Sequence, residues 1–438
     1  MLKLDILVCS ISGKPVLHHV LSSSSLVAPD DASSSTLASS LQGLLSFVSC
    51  THDEELQELH AAHFRGVFRT TATLTFAAIE RPARACTFGL ECLQHLLHLL
   101  EQQILVVLSA QGLDVLRRQP GYDLRDLLHG TDKVTHAVVT KWATTPTLRL
   151  RDGGVPFLRL KLETRRQVTR ALEVETSSMI CALLVAREQV VAMHLPKKKH
   201  FSLLVDDLLL VLNFIYHTPS LATSETWTPI CFANFNARGF LYAYVVFLSP
   251  HISLLLLSSD ASPDHFPSFQ ATKTRIVQAL ADMNAMRAIQ KALTQQLQWQ
   301  PHKHLPLVRH FIYKNELTGE CTHPSLPDHL DTCVQVLNQY AKLYYIMFPT
   351  ASKPQVLGQR FEAPTAARFL YDRSATGLFV ATSSPEYRLV VCFHSFAPLS
   401  DAQDQLDALL KHLRHDDALM SLALFLPSSS IHALGMWP

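Results

Sequence analysis

Short apolar runs alternate with amphipathic helical stretches from the start of the chain. Residues 4–9 form an apolar run, the polar residues 12–15 indicate a turn, and residues 16–20 continue in extended form. A Ser-rich stretch over residues 22–35 predicts a linker. Residues 36–48 then repeat apolar positions at helical spacing, which predicts an amphipathic helix.

Two more strands and a second helix complete this first unit, and the same order then recurs. Residues 64–69 and 74–80 predict paired strands, and residues 87–107 predict a helix. The second pass predicts strands over 179–186, 190–195, 229–235, 240–248 and 251–258, and helices over 203–215 and 272–297. The third pass predicts strands over 308–314, 368–371, 378–382 and 387–393, and helices over 326–347 and 400–413. A sheet with helices on it, repeated three times, predicts three sequential α/β domains.

Length and composition agree with a folded chain of several domains. Its 438 residues exceed one ordinary core, since domains usually hold about 100–200 residues. An apolar share of 48% and a charged share of 17% exclude wholesale disorder. Lysine plus arginine number 38 and aspartate plus glutamate 37, so no global field attracts nucleic acid, and no nucleic-acid partner is expected. The 14 glycines count against glycine-rich phosphate loops.

The cysteines and the apolar runs predict a cytoplasmic or peripheral protein. The nine cysteines are widely spaced and form no Cys-x-x-Cys pair, which indicates buried thiols of a reducing compartment. The chain opens directly into an apolar strand that contains Asp5, so no signal peptide is expected. The longest apolar stretches, 203–215 and 252–257, are shorter than the roughly 18 residues that a membrane-spanning helix needs.

Several short motifs, in matching order, resemble one known family. Residues 227–231 (Trp-Thr-Pro-Ile-Cys), 234–236 (Asn-Phe-Asn) and 239–241 (Gly-Phe-Leu) resemble the central signature of the SAND family of monensin-sensitivity vacuolar fusion proteins. The other matching motifs are 12–15 (Ser-Gly-Lys-Pro), 122–128 (Tyr-Asp-Leu-Arg-Asp-Leu-Leu), 205–215 and 310–314 (His-Phe-Ile-Tyr-Lys). The resemblance covers nearly the whole chain.

The resemblance implies an α/β fold of three sequential longin or roadblock-like domains, each a mainly antiparallel sheet flanked by helices, over residues 1–145, 146–300 and 301–438. It implies a heterodimer with a second tri-longin subunit, the calcium-caffeine-zinc-sensitivity partner. Together the two subunits would exchange GDP for GTP on the Rab-seven-type GTPase of late endosomes and vacuoles, in endosome maturation and membrane fusion. Such a factor performs no covalent catalysis, because it acts by binding the nucleotide-free GTPase better than the nucleotide-bound form.

Three features depart from the family pattern. Family members usually carry a long polar N-terminal extension, whereas the first predicted strand here starts at about residue 4. The Ser-rich stretch is an insertion, and the third domain matches weakly. Regulation that depends on the extension is therefore not expected to carry over.

The resemblance places the GTPase on the paired first domains, so the first hairpin turn and the helix over 36–48 are the candidate contacts. The candidate GTPase- or partner-binding residues are Ser12, Gly13, Lys14, Pro15, Leu41, Leu44, Leu45 and Val48. The four apolar residues have a structural alternative, which is packing of the helix on its own sheet. The turn is not a nucleotide-binding P-loop, because Pro15 stands where serine or threonine would bind Mg²⁺.

Two further stretches each allow a functional and a structural interpretation. Lys197, Lys198 and Lys199 are the candidate residues for binding an anionic phosphoinositide membrane surface, and a solvated loop is the alternative. Residues 227–239 form either a domain or partner contact, or a strand pair whose Trp227 fills the second core.

No residue pattern marks a catalytic or metal site. The only ligand-like cluster contains His302, His304, His310, Cys321 and His323, and it lacks the paired spacing of a zinc finger, so no metal and no cofactor are expected. A Gly-x-Ser-x-Gly elbow is absent. The alternatives left open are a longin-type trafficking scaffold or adaptor without exchange activity, and an unrecognised hydrolase with a convergent polar pocket.

Overall fold

The strands of this protein form three separate sheets. The computed structural model describes residues 3–22, 26–27, 29–52, 55–81, 88–174, 176, 178–196, 203–294, 305–316, 318–326, 330–348 and 368–415. All strand pairs in these ranges are antiparallel except one short pair in the third sheet. The predicted α/β fold, with three mainly antiparallel sheets flanked by helices, is confirmed.

The first sheet has the strand order β3-β2-β1-β6-β5-β4. Its strands are β1 (Lys3–Ser10), β2 (Pro15–Ser22), β3 (Leu26–Val27), β4 (Glu58–His60), β5 (Arg65–Thr70) and β6 (Leu74–Arg81), and the helices of this part are α1 (Asp31–His52), α2 (Leu90–Arg118), α3 (Asp132–Thr144) and α4 (Pro146–Arg149). The predicted hairpin and strand pair are confirmed. Leu7, Phe68 and Ile79 of the sheet meet Leu41 of α1 in a buried core.

The helix α1 begins at Asp31, so the predicted linker over residues 22–35 is wrong at its end. Asp30 stands just before the helix, and its Oδ1 accepts a hydrogen bond from the Ser33 N–H at 3.4 Å. Asp31 adds a negative charge to the first turn, where the helix dipole favours it. These two acidic residues start the helix within a stretch that composition alone marks as a linker.

The helix α2 is longer than predicted and is kinked. Its length and composition would allow it to cross a membrane. However, 56% of its most apolar 18-residue stretch is buried, and the helix packs on β5 and β6. It is therefore a core helix of the first sheet. Its backbone leaves the helical conformation at Ser109, which has φ 55° and ψ 171°.

The second sheet has the strand order β10-β11-β12-β8-β9. The elements of this part are β7 (Val155–Pro156), α5 (Leu162–Leu172), β8 (Met179–Ala186), β9 (Gln189–His194), α6 (Val205–His217), β10 (Thr226–Ile230), α7 (Ala233–Asn236), β11 (Leu241–Ser249), β12 (Ile252–Ser258), α8 (Phe266–Asp282) and α9 (Ala285–Thr294). Trp227 packs against the core of this sheet, with its ring 5.1 Å from that of Phe269. The structural interpretation of Trp227 is confirmed.

Two predictions for this part are wrong. The predicted strand over 229–235 ends at Ile230 and gives way to the short helix α7. The predicted single helix over 272–297 is two helices, because Asn284 adopts φ 53° between α8 and α9. Asparagine tolerates this left-handed conformation better than most residues.

The third sheet has the order β15-β16-β17-β13-β14-β7. Its later elements are β13 (Val308–Asn315), β14 (Glu320–Thr322), α10 (Leu330–Met347), β15 (Arg368–Ser374), β16 (Gly377–Ser383), β17 (Tyr387–Phe393) and α11 (Leu399–His415). β7 joins this sheet from an earlier part of the chain, parallel to β14. The close approach of β7 to β14 needs glycine at residue 154. Gly154 has φ +85°, and a Cβ there would lie 2.8 Å from the Gly319 carbonyl oxygen.

The chain divides into two compact units. The described residues of Met1–Arg151, Cys231–Gly239 and Pro327–Tyr345 form one, and those of Asp152–Ile230, Phe240–Leu326 and Ile346–Pro438 form the other. The first unit thus contains the first sheet, the segment between β10 and β11, and most of α10. The predicted domain ranges 1–145, 146–300 and 301–438 stay a prediction.

Candidate functional site

The turn between β1 and β2 is closed by its own backbone. The Gly13 N–H donates to the Ser10 carbonyl at 2.8 Å, and the Ser10 N–H donates to the Lys14 carbonyl at 2.8 Å. Gly13 has φ +82°, a conformation that glycine adopts without strain. The sequence-predicted residues Ser12 to Pro15 therefore form a defined turn whose side chains at Ser12 and Lys14 are exposed.

A loop that follows α2 supports this turn. The Ser12 hydroxyl donates to the Pro120 carbonyl at 2.6 Å, and the Lys14 ammonium donates to the Gly121 carbonyl. Both acceptors lie just before residues 122–128, a family motif that is not among the predicted contact residues. The structure thus brings two distant motifs together.

Charged side chains join the same loop to the start of α1. Arg125 pairs with Asp123 at 2.8 Å and with Asp31, the first residue of α1, at 3.3 Å. The hydrogen bond from Arg125 lowers the pKa of Asp123, and the positive charge of Lys14 lowers it further. The pairs are solvent-exposed, so each contributes little to stability, but together they orient the loop beside the turn.

The turn also lies against α1. A Cβ added to Gly13 would lie 3.5 Å from the Cβ of Gln42, so the turn backbone passes close to the middle of the helix. The structure therefore places the predicted turn and the predicted helix on one surface. We call the turn Ser12–Pro15 and the exposed face of α1 the N-terminal surface.

The predicted apolar residues of α1 divide into two groups. Leu41 is buried and Leu45 packs beside it on the core of the first sheet, as the structural alternative predicts. Leu44 and Val48 are only half-buried. Phe47 lies between them in sequence and is 65% exposed, and it is not among the predicted contact residues. The outer face of α1 is therefore formed by Leu44, Phe47 and Val48.

A serine and a histidine meet near the start of α1, but they do not form a nucleophilic site. The Ser34 hydroxyl donates to the Asp30 carbonyl at 2.9 Å and contacts His18 Nδ1 at 3.0 Å. Because the serine proton is already donated to a carbonyl, the His18 nitrogen must donate to this hydroxyl and cannot act as its base. Ser34 is also buried.

The ligand-like histidines are engaged with the backbone. His310 and His323 each direct a ring nitrogen to the Pro324 carbonyl oxygen, at 3.1 and 2.7 Å. Among the described residues, no three His, Cys, Asp or Glu side chains are grouped to hold a metal ion. His302 and His304 lie outside the described residues.

The candidate membrane-binding lysines follow β9 in the sequence. Lys197, Lys198 and Lys199 lie outside the described residues, at the end of the segment that follows β9. Arg165, a nearby arginine in sequence, is fully buried and donates to the carbonyls of Val191 and Leu158, both at 2.5 Å. It therefore cannot contribute charge to a surface patch.

The comparisons with known proteins agree with the architecture. Residues 5–138 match the family described as the first longin domain of FUZ, MON1 and HPS1, and residues 177–278 match the second longin domain of the same proteins. The chain belongs to the MON1/SAND family of longin-domain proteins. The first match contains the N-terminal surface, and the second contains the segment between β10 and β11.

Relatives of the MON1/SAND family match long stretches of the chain. Vacuolar fusion protein MON1 homolog A of Bos taurus is 25% identical over 413 residues, which is 94% of this chain and 70% of the relative. Its Homo sapiens counterpart is 29% identical over 322 residues, 73% of this chain and 47% of the relative. Protein SAND of Takifugu rubripes is 25% identical over 414 residues, 94% of this chain and 74% of the relative. The matched part therefore spans 47% to 74% of these relatives.

Proposed function

We propose that this protein is a subunit of a heteromeric guanine nucleotide exchange factor that activates a Rab GTPase of late endosomes or vacuoles, in endosome maturation and membrane fusion. Its partner is a second tri-longin subunit, and the complex lies peripherally on the late endosome or vacuole membrane. The proposal is supported by the membership of the MON1/SAND family, whose relatives are named vacuolar fusion proteins.

The observation that carries the proposal is the N-terminal surface. Its turn is braced from outside by the Pro120 and Gly121 carbonyls, and it lies beside an α-helix that exposes a phenylalanine. Phe47 is 65% exposed and has the half-buried Leu44 and Val48 on the same outer face, and exposed aromatic residues often contribute much of the binding energy at protein interfaces. Such a surface suits an exchange factor, which needs shape and rigidity rather than reactive groups.

Phe47 provides the sharpest test. We expect Phe47→Asp to slow the GDP release stimulated by this chain and its partner by at least tenfold, since interface aromatics commonly contribute about 2 kcal/mol or more. Release of a fluorescent GDP analogue from a panel of Rab GTPases measures the effect, with the chain alone and with the suspected partner. Phe396→Asp is the matched control, because Phe396 is 74% exposed and lies in the other compact unit.

The possible outcomes separate the two candidate functions. If the wild-type pair stimulates no Rab of the panel, exchange activity is refuted, and a longin-type scaffold or adaptor remains. If the pair is active and the two phenylalanine variants behave alike, the N-terminal surface is not the contact. Unchanged melting temperatures of both variants show that the fold is intact.

The contact with the membrane is proposed to involve Lys197, Lys198 and Lys199. Three lysines in succession attract an anionic phosphoinositide surface, with each cation contributing about 1 kcal/mol near such a membrane.

A further inference from the structure

The kink in α2 breaks a helical hydrogen bond and leaves one backbone N–H and one backbone carbonyl without their helical partners. In a regular helix the Ala110 N–H would donate to the Val106 carbonyl. At Ser109 the backbone has φ 55° and ψ 171°, a region that only glycine adopts readily, and the regular bond is not made. Ser109 is fully buried, so water cannot replace the lost bond.

The segment 231–239 satisfies both groups. The Ala110 N–H donates to the Ala237 carbonyl at 2.7 Å, and the Cys231 N–H donates to the Val106 carbonyl at 3.0 Å. The segment connects β10 to β11. It therefore supplies a hydrogen-bond partner for each of the two backbone groups that lack a helical partner. It contains much of the signature by which the family was recognised in the sequence.

The segment is attached by few buried side chains. Cys231 and Phe232 are buried, whereas the four residues of α7 that follow are not. Phe235 of α7 is 41% exposed. The kinked state of α2 thus depends on a short segment in which, among residues 231–236, only Cys231 and Phe232 are buried.

The part of α2 beyond the kink leads to the loop that holds two side chains of the turn Ser12–Pro15. The helix continues from Ala110 to Arg118 and leads directly into Pro120 and Gly121, whose carbonyls hold the side chains of Ser12 and Lys14. A change of helix direction at Ser109 would move these two acceptors away from the turn. Backbone hydrogen bonds join the segment to α2, and side-chain hydrogen bonds from Ser12 and Lys14 join the turn to the loop after α2.

We propose that the segment 231–239 is a positioning element that keeps α2 kinked and thereby holds the turn Ser12–Pro15 in its binding conformation. Release of the segment lets α2 straighten and loosens the turn. The part of this inference that concerns binding rests on the proposed function. The coupling between the segment and the turn does not, because it is a property of the chain alone.

Amide hydrogen exchange tests the coupling. In the full chain, Phe232→Ala should speed exchange at least tenfold in peptides that cover 106–112, 119–126 and 10–16. Arg238→Ala is the control in the same segment, because Arg238 is exposed, and it should leave all three peptides unchanged. If Phe232→Ala affects 106–112 only, the segment acts locally and the inference is overturned.

Two substitutions at Ser109 test the same point without disturbing the segment. Ser109→Gly suits the kinked backbone and should slow exchange in the three peptides, whereas Ser109→Ala favours a continuous helix and should speed it. Combining Ser109→Gly with Phe232→Ala should restore most of the lost protection, which a general loss of packing would not show. Equal exchange in the glycine and alanine variants would overturn the inference.

GDP release, measured on the same samples, separates this inference from the proposed function. If amide hydrogen exchange changes as expected but the wild-type protein and its partner stimulate GDP release from no Rab, the proposed function fails and the coupling stands. If GDP release is stimulated but amide hydrogen exchange does not change as expected, the coupling is overturned and the proposed function stands.

Discussion

Three buried histidines make the fold sensitive to mild acid. His19, His95 and His310 are 5%, 9% and 6% exposed. Burial is the main cause that lowers their pKa values, to about 4 for His19 and to about 3 for His95 and His310. Neighbouring histidines lower each value further, through His136, His98 and His323 respectively.

The size of the effect follows from proton linkage. An unfolded histidine has a pKa near 6.5 and takes up a proton as the pH falls from 7 to 5, whereas these folded histidines stay neutral until about pH 4 or 3. The unfolded state therefore binds more protons in this window, and stability falls with the pH. Each of the three histidines should lower the free energy of unfolding of its own compact unit by about 2 kcal/mol between pH 7 and pH 5, so the unit with both His19 and His95 should lose about 4 kcal/mol. This is a large fraction of the total stability of many domains, which is about 5–15 kcal/mol.

Denaturant unfolding at pH 7 and pH 5 measures this loss. We expect His95→Gln to reduce the difference in unfolding free energy between the two pH values by about 2 kcal/mol. His63→Gln is the control, since His63 is exposed, and it should keep the wild-type difference. If His95→Gln and His63→Gln show the same pH dependence, burial of His95 is not the cause of the acid sensitivity.

Three further predictions follow from the packing and the charges. Leu41→Ala should lower the free energy of unfolding by about 2–4 kcal/mol because Leu41 is in the first core, whereas Phe47→Ala should change it by less than about 0.5 kcal/mol. Chemical denaturation measures both values. Equal values would contradict the division of α1 into two faces. Arg149 is fully buried, with its guanidinium carbon 3.8 Å from the centroid of the Trp142 ring. Arg149→Lys should lower the melting temperature more than Arg149→Met, because lysine keeps the buried charge and loses the planar stacking. A lysine variant as stable as wild type would refute this. Replacing Lys197, Lys198 and Lys199 with Glu should weaken sedimentation with phosphoinositide liposomes, and unchanged sedimentation would remove the membrane proposal.

The sequence predicted most strands because their signals are local. The hairpin of β1 and β2 shows two apolar runs joined by Ser-Gly-Lys-Pro, and β13, β16 and β17 show short apolar runs with clear ends. Helix bounds were less predictable. The α1 start at Asp31 depends on a cap within a serine-rich stretch, and the break at Asn284 depends on one residue inside a continuous apolar period.

The candidate site was only half predictable for a related reason. The turn residues Ser12 and Lys14 were identified, but their support by Pro120 and Gly121 was not, because the contacts join residues more than a hundred positions apart. Phe47 was not predicted as a contact because it does not follow the helical spacing of the core residues Leu41 and Leu45 of α1. A solvent-exposed aromatic between half-buried neighbours has no distinct sequence signal.

Periodicity, turn residues and family motifs determined, from the sequence by itself, that this chain repeats an α/β unit and belongs among the longin proteins. These signals depend on each residue and its near neighbours, whose conformational preferences act over a few positions. Only the tertiary structure decided that α2 kinks at Ser109 and that residues 231–239 complete its hydrogen bonds. The free energy of such contacts arises when distant backbone groups are buried together, and no local preference of either segment contains it.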